Sequence, residues 1–247
     1  MFKLSTWVEE DNLTTFLSAN PRAGGYLEEH PDKIDWMELS CNPGAIQILE
    51  KNLEDDAQLS YNPAAIHLLT PKNINWMQLS ENPNAIHLLE ANPEKINWFN
   101  LSKNPAAIHL LEANPEKIHW GGLSLNPAAI PLLEANPDKI VWLWLSCNPS
   151  AIHLLEQNPE KIDWCRLSEN PAAMHILEKN LDKIDWEELS KNPAAIPLLK
   201  DNLDKVEWDM LSLNPGIFEY VPQPFTEELM ANRFHPENVE KFELWGF

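Results

Sequence analysis

The sequence predicts an all-α protein, a right-handed α-solenoid of about ten 22-residue repeats with two short helices each and divergent terminal caps. The phrase Leu-Ser-x-Asn-Pro occurs ten times, with its asparagines at 20, 42, 62, 82, 104, 126, 148, 170, 192 and 214. A tryptophan recurs once per repeat at positions 76, 98, 120, 142, 164, 186 and 208. A fixed period of this length is typical of stacked copies of one supersecondary unit.

The first helix of a unit, helix A, is predicted from the Asn-Pro pair that opens the unit. In the unit that begins at Asn104, we expect helix A to run from Pro105 to Glu112. Asn is a good N-cap, and Pro fits the first helical position because its missing N–H would have no intrahelical partner. The apolar residues of this helix span one face: Ala107, Ile108, Leu110 and Leu111.

The second helix, helix B, is expected from Pro115 to Ser124, after a second Asn-Pro pair. Trp120 and Leu123 lie on one side of this helix, and Ile118 lies on the opposite side. Because tryptophan recurs at this position unchanged, we expect the tryptophan side to form the shared core. Helices this short are marginal alone, so the units must be stabilised by stacking on their neighbours.

Three features depart from the regular unit. Pro131 and Pro197 occupy the fifth helical position of their A helices, which predicts a kink or a 3-10 segment because a backbone donor is lost there. The units that begin at Asn42 and Asn62 are two residues shorter than the others, and residues 52–60 lack the tryptophan. We expect a local irregularity in the stack at this place.

The ends of the chain divide it into three parts. Residues 1–19 are expected to form an N-terminal cap that contains a degenerate half repeat, residues 20–214 the α-solenoid array, and residues 215–247 a C-terminal helical cap. Terminal repeats of an elongated stack must cover its exposed core, so atypical ends are expected.

Composition limits the partners. The chain has 18 basic and 38 acidic residues and a formal net charge of −20, which opposes binding to nucleic acid and to anionic membranes. No apolar run approaches a membrane span, and the N-terminal residues lack the order of a signal peptide. Cys41, Cys147 and Cys165 form no CxxC pair, which favours a reducing compartment. We therefore expect an intracellular, non-secreted protein.

The repeat resembles the Asn-Pro tandem-repeat proteins of large DNA viruses of amoebae and algae, of the Marseillevirus type. The resemblance includes the exit of the array through Leu-Ser-x-Asn-Pro-x-Ile-Phe (Leu211 to Phe218) and the ending His-Pro-x-x-Val-x-Lys-Phe-x-x-x-Gly-Phe (His235 to Phe247). It covers nearly the whole chain. The resemblance implies a helical repeat scaffold in the host cell cytoplasm or the virion, and it implies no biochemical activity.

The candidate binding site lies on the side of helix B where the repeats differ from one another. Its predicted protein-binding residues are Phe99, Gly121, Gly122, Leu125, Leu143, Trp144, Cys147, Cys165 and Arg166. Gly121 and Gly122 would leave a notch beside Trp144, and aromatic anchors in desolvated pockets dominate interface energies. In the alternative interpretation, Trp144 fills the notch itself and seals the core.

Other patterns are weaker. An acidic patch at Glu187, Glu188 and Asp209 could steer a basic partner, although such charges are usually a solvated surface. Histidines at 67, 87, 109, 153 and 175 are expected on a solvated face. Recurring lysines such as Lys117 are expected to form exposed pairs with the glutamates that end A helices. The sequence has no catalytic constellation, no metal-ligand spacing and no cofactor motif.

These observations predict a non-enzymatic scaffold that binds a viral or host protein through the variable face of its second helices. The alternative is a structural virion or assembly component that associates with itself. We expect no cofactor, no metal and no catalytic residue, and a monomer or weak self-association in solution.

Overall fold

A computed structural model describes residues 2–52 and 58–221 of the chain. This part is mostly helical, with sixteen short α-helices in a regular repeat and one antiparallel pair of strands. The first helices of the units, the A row, are α1 Gly24–Glu29, α3 Ile46–Lys51, α5 Ile86–Ala91, α7 Ile108–Glu112, α9 Ile130–Glu134, α11 Ile152–Gln157, α13 Met174–Leu177 and α15 Ile196–Lys200. The second helices, the B row, are α2 Trp36–Ser40, α4 Trp76–Glu81, α6 Trp98–Lys103, α8 Trp120–Leu125, α10 Trp142–Leu145, α12 Trp164–Glu169, α14 Trp186–Lys191 and α16 Trp208–Leu213.

Each Asn-Pro pair begins a 3-10 turn before the α-helix. The side-chain oxygen of Asn104 accepts a hydrogen bond from Ala106 N at 3.0 Å, and α7 begins only at Ile108. The expectation of one continuous A helix from Pro105 is therefore wrong at its start. Pro131 is the second residue of α9, where no backbone donor is needed. The 3-10 segment predicted for this unit is present at Pro127–Ala129, but units without this proline have the same turn, so the proline is not its cause.

Helix B is shorter than expected for a similar reason. Residues Pro115–Lys117 form a 3-10 turn, and Ile118 is extended, with ψ of 125°. The α-helix α8 then begins at Trp120, and Nδ1 of His119 accepts a hydrogen bond from Gly122 N at 3.1 Å. An extended residue thus separates the turn from the helix in place of one helix from Pro115 to Ser124.

The innermost core consists of leucine, alanine, serine and asparagine. In the unit that begins at Asn104, the fully buried side chains include Ala107, Leu111 and Leu123. Trp120 packs against this core but is only half-buried. The tryptophan side of helix B thus contributes to the core through Leu123, as expected, but the tryptophans themselves cover the edge of the core and do not fill it.

Buried polar side chains join each unit to the preceding one. Nδ2 of Asn126 donates to the carbonyl oxygens of Ser102, at 3.0 Å, and Asn104, at 2.9 Å. Oγ of Ser124 donates to its own helix and accepts a hydrogen bond from Val141 N of the next unit at 3.1 Å. These bonds satisfy backbone groups that would be costly to bury unpaired. The repeated serine and asparagine therefore specify the stacking.

The same bonds connect the last unit to the first. Nδ2 of Asn20 donates to the carbonyl oxygens of Ser212, at 3.0 Å, and Asn214, at 2.9 Å. Thr14 N donates to Oγ of Ser212 at 3.1 Å, as Val141 N does to Ser124 inside the array. Because the first and last units bond as neighbours do, the array closes into a ring of ten units.

The tenth unit of the ring is assembled from both ends of the chain. Strand β1 (Phe2–Leu4) pairs antiparallel with β2 (Phe218–Tyr220), and Ser5 N donates to the Ile217 carbonyl oxygen at 2.8 Å. The C-terminal segment supplies the Asn-Pro turn, and the N-terminal turn Thr15–Ala19 occupies the place of a B helix. The two ends therefore contact each other, where separate caps on an open stack were expected. Residues 222–247, most of the expected C-terminal cap, lie outside the described residues.

The short units contain the irregularity that their length predicts. The unit that begins at Asn42 has the turn Leu59–Tyr61 in place of its B helix, and the next unit has the turn Ile66–Leu68 in place of its A helix. The bonds of Asn62 to the carbonyl oxygens of Ser40 and Asn42 are nevertheless present. The row of buried serine and asparagine bonds that joins the units, which we call the polar ladder, thus continues where the helices are interrupted.

Candidate functional site

The variable positions form a row that follows the B helices around the ring. We call the residue after the first tryptophan of each B helix the variable row: Met37, Met77, Phe99, Gly121, Leu143, Cys165, Glu187 and Asp209. Four of its side chains are large, apolar and exposed, at 64% for Met37, 52% for Met77, 47% for Phe99 and 42% for Leu143. The row therefore presents apolar surface over part of the ring and carboxylates over another part.

Phe99 lies between two polar neighbours. Its ring meets the ring of His119 edge to face, with centroids 4.5 Å apart. The ammonium of Lys103 lies 4.7 Å from its centroid and 3.1 Å from a carboxylate oxygen of Glu81. Phe99 is thus held in place while about half of its surface remains exposed.

Gly121 and Gly122 are both buried, and they serve different contacts. A Cβ on Gly122 would lie 2.8 Å from the carbonyl oxygen of Phe99, so this glycine allows α8 to approach α6 closely. A Cβ on Gly121 would lie 3.0 Å from the imidazole of His119 and 3.5 Å from the ring of Trp144. The space at Gly122 is therefore filled by the neighbouring helix.

Trp144 is half-buried and lies against the next unit. The guanidinium of Arg166 lies 5.2 Å from its ring centroid, within cation–π range, and 3.9 Å from a carboxylate oxygen of Glu169. Cys147 Sγ donates to the Trp144 carbonyl oxygen at 3.2 Å. Trp144 is thus packed between Gly121 of the preceding unit and Arg166 of the next, with part of its ring exposed.

The two cysteines of the candidate site differ in accessibility. Cys147 is partly buried, and burial raises the pKa of its thiol to about 11. Cys165 is exposed, and its pKa is also raised, chiefly by desolvation and by the carboxylate of Asp185. Both thiols are therefore protonated at neutral pH, and the geometry provides no activated nucleophile at either. Leu125, the remaining apolar residue of the predicted set, is half-buried.

The three residues of the predicted acidic patch differ in exposure and in ion pairing. Glu187 and Asp209 are exposed, whereas Glu188 is largely buried and forms an ion pair with Lys191 on the same helix. Glu207, which precedes α16, is also exposed. Within the variable row, the exposed carboxylates thus lie on α14 and α16, and Glu207 lies directly before α16.

The recurring lysines lie over tryptophans, where exposed pairs with glutamate were expected. The ammonium of Lys117 lies 4.5 Å from the centroid of Trp98, and that of Lys161 lies 4.5 Å from Trp142 of the preceding unit. The glutamates that end A helices contact histidines of the next unit, as Glu134 contacts His153 at 2.9 Å. Sequence spacing within one unit could not reveal these contacts, because each of them joins two units.

The described residues contain no group of three or more His, Cys, Asp or Glu side chains placed to hold a metal ion. None of the helices in residues 2–52 and 58–221 has the length and hydrophobicity of a membrane span. No family model, no curated protein and no solved structure matches this chain.

Proposed function

We propose that this protein is a non-enzymatic repeat scaffold that binds another protein, viral or host, through its variable row. The observation that carries the proposal is the exposure of Met37, Met77, Phe99 and Leu143 at one repeated position. Fully burying a side chain of this kind contributes about 1.5–3 kcal/mol, so covering the exposed part of all four favours association. An intracellular or virion location belongs to the same proposal.

The distribution of sequence differences supports a binding surface. Buried ladder residues such as Leu101, Ser102 and Asn104 recur in every unit, because they specify the stacking. The variable row differs from unit to unit: Phe99 and Leu143 are apolar, whereas Glu187 and Asp209 occupy the same position, so the stacking tolerates either character. Clustered exposed apolar side chains mark interaction surfaces in soluble proteins.

The second candidate is a structural virion or assembly component that binds a second copy of itself through the same apolar side chains. Exposed Phe2 and Tyr220, whose rings pack together on the two-stranded sheet, favour this candidate, because clustered exposed apolar side chains mark interaction surfaces. Sedimentation over a hundredfold range of concentration separates the two candidates. A monomer at all concentrations excludes self-association, and a concentration-dependent dimer or polymer supports it.

The test of the first candidate compares two double variants. Phe99→Ser with Leu143→Ser removes two anchors of the variable row, whereas Leu181→Ser with Leu203→Ser removes two leucines that are 51% and 49% exposed on the turns before α14 and α16. The tagged protein is used to capture binding proteins from infected-cell lysate. We expect the first variant to lose a captured protein that the wild type and the second variant retain. Equal capture by all three proteins would exclude the variable row as the binding surface.

A further inference from the structure

We propose that the ring encircles one cationic amphipathic α-helix of its partner. This inference rests on the proposed function and specifies the chemistry of the partner. It depends on three features of the molecule: which side of each unit faces the ring axis, how wide the opening is, and how charge and apolar surface are distributed around it.

The B row lies on the side where neighbouring units are most tightly packed. Gly122 brings α8 against the backbone of α6, and Nδ2 of Asn100 reaches back to the Met77 carbonyl oxygen at 2.7 Å. Neighbouring B helices and neighbouring Asn-Pro turns pack directly on each other. In the described part of the chain, no comparably close packing joins neighbouring A-row helices.

The opposite side of each joint is open. A groove between two units is lined by Pro137, Ile140 and Trp142 of one unit and by Leu154 and Lys161 of the next. An equivalent groove lies between the first two units, beside Trp36. Neighbouring units are therefore farther apart on the tryptophan and lysine side than on the B-row side. In a closed ring the closely spaced side of the units faces inward, so the variable row faces the ring axis.

The opening has the width of a helix. The eight B helices and the two turns that take the place of a B helix, Thr15–Ala19 and Leu59–Tyr61, give ten positions around the ring. At the usual separation of ~8–10 Å, their axes lie on a circle of roughly 13–16 Å radius. Subtracting a helix radius of about 5–6 Å on each side leaves an opening roughly 15–20 Å across. An α-helix with its side chains is about 10–12 Å in diameter and fits this opening with room for contact on all sides.

The lining has two sectors that face each other. In ring order, Met77, Phe99 and Leu143 belong to the third, fourth and sixth units, whereas Glu187 and Asp209 belong to the eighth and ninth. In a ring of ten units, the third and fourth lie opposite the eighth and ninth. An occupant therefore meets apolar side chains on one side and carboxylates on the other.

The cations of the B row are already engaged. Within the described B helices these are Lys103, with Glu81 and Phe99, Arg166, with Trp144, and Lys191, with Glu188. Glu187, Glu207 and Asp209 remain exposed without such partners in the hydrogen bonds and ion pairs of the described residues. A helix with leucine-like residues on one face and Lys or Arg on the other complements both sectors. The carboxylates oppose a nucleic acid in the same opening.

Binding is tested with synthetic peptides on the full chain. The first is an 18-residue capped peptide of Leu and Lys with Leu at helical spacing. The second replaces Lys by Glu, and the third alternates Leu and Lys so that its period matches a strand. We expect fluorescence anisotropy to show one-to-one binding of the first peptide alone. Equal binding of the first and third peptides would overturn the assignment to a helix.

Variants assign the two sectors. Phe99→Ser with Leu143→Ser is expected to weaken binding of the first peptide about tenfold or more, because central anchors carry most interface energy. Glu187→Gln with Glu207→Gln and Asp209→Asn is expected to weaken it about tenfold and to reduce its salt dependence. The controls are Leu181→Ser with Leu203→Ser, and Glu94→Gln with Glu116→Gln and Glu160→Gln on exposed turns. Controls that weaken binding as much would show nonspecific adsorption and overturn the proposal.

Encirclement has its own test. A peptide fused at one end to a folded domain can enter a closed ring, whereas a peptide fused at both ends to domains of ~100 residues, about 30 Å wide, cannot. We expect the doubly fused peptide to lose binding that the singly fused peptide keeps. Equal binding of both would overturn encirclement. If every peptide fails while capture of a protein still requires Phe99 and Leu143, this inference fails and the proposed function stands.

Discussion

The joint between the units at Asn104 and Asn126 and the joint between the last unit and Asn20 use the same polar contacts. In each, an asparagine amide donates to two buried carbonyl oxygens and a serine hydroxyl accepts a backbone N–H from the next unit. The unit before the first joint is one continuous segment, whereas the tenth unit, before the closing joint, is assembled from both ends of the chain. There the guanidinium of Arg22 additionally reaches the carbonyl oxygens of Pro215 and Phe218, and β1 pairs with β2. The difference teaches that added contacts replace chain continuity in the tenth unit.

The largest effect is expected from removing one asparagine of the ladder. Asn20→Ala and Asn126→Ala each leave two buried carbonyl oxygens without this donor, which costs about 2–6 kcal/mol of unfolding free energy at ~1–3 kcal/mol per group. Chemical denaturation measures both losses. Hydrogen exchange then separates the joints: we expect faster exchange in β1 and β2 for Asn20→Ala alone. Equal acceleration in Asn126→Ala would show that β1 and β2 do not depend on the closing joint in particular.

Overpacking an internal joint is expected to have the next largest effect. Gly122→Val places atoms against the Phe99 carbonyl oxygen and should cost about 1–3 kcal/mol, because the backbone of α6 must shift. The matched control is Gly25→Ala in α1, where an added Cβ meets no atom within 4 Å. This control should be neutral or stabilising by about 0.4–1 kcal/mol. Comparable destabilisation by both substitutions would contradict the close packing of the B row.

A smaller effect is expected from the lysines that cover tryptophans. Lys161→Gln at an internal joint and Lys200→Gln beside Trp7 near the closing joint each remove one cation–π contact, at 4.5 Å and 5.3 Å. Each should cost about 0.5–1 kcal/mol, because these sites are partly exposed. Thermal unfolding with Lys→Arg variants as controls measures the loss. Arginine variants that are as unstable as the glutamine variants would exclude the cation–π contribution.

The smallest effect concerns acid pH near the closing joint. The pKa of Glu10 is lowered from its ordinary value of 4.5, first by the hydrogen bond from Tyr26 and then by that from Lys33. A lowered carboxyl pKa stabilises the fold above the ordinary value, and this contribution is lost as pH falls through the lower folded value. Because Glu10 is exposed, the effect should be small. Glu10→Gln should flatten the dependence of stability on pH below about 5, and an unchanged slope would contradict this.

Much of the repeat unit could be predicted from its own residues. The Asn-Pro starts, the helical content and the irregularity at the short units follow from local capping and spacing. The 3-10 turns could not be predicted, because Asn104 with Pro105 begins a tight turn as well as it begins an α-helix. The half-burial of Trp98 depends on Lys117 of the next unit, and no spacing within one unit reveals it.

The closure and the candidate site required the structure for a different reason. Phe2 pairs with Tyr220, and residues this far apart in sequence carry no periodic signal that links them. The variable row was predicted as a binding face, but its inward direction follows only from the ring. Gly122 was predicted as part of a notch, whereas the neighbouring backbone occupies that space. Glu207 belongs to the acid excess that the sequence shows near Trp208, whereas its exposure beside Asp209 required the structure.

The bond between Asn20 and Ser212 also sets a copy number. An open stack grows or shrinks by whole modules at little cost, since each added module meets its neighbour as before. Here ten modules share a full turn, about 36° apiece at the inter-module contacts. A gene duplication or loss of one module would require every contact to change its angle, or leave the two chain ends apart. Such a rearrangement should therefore be accompanied by compensating changes at the glycine and serine contacts between modules.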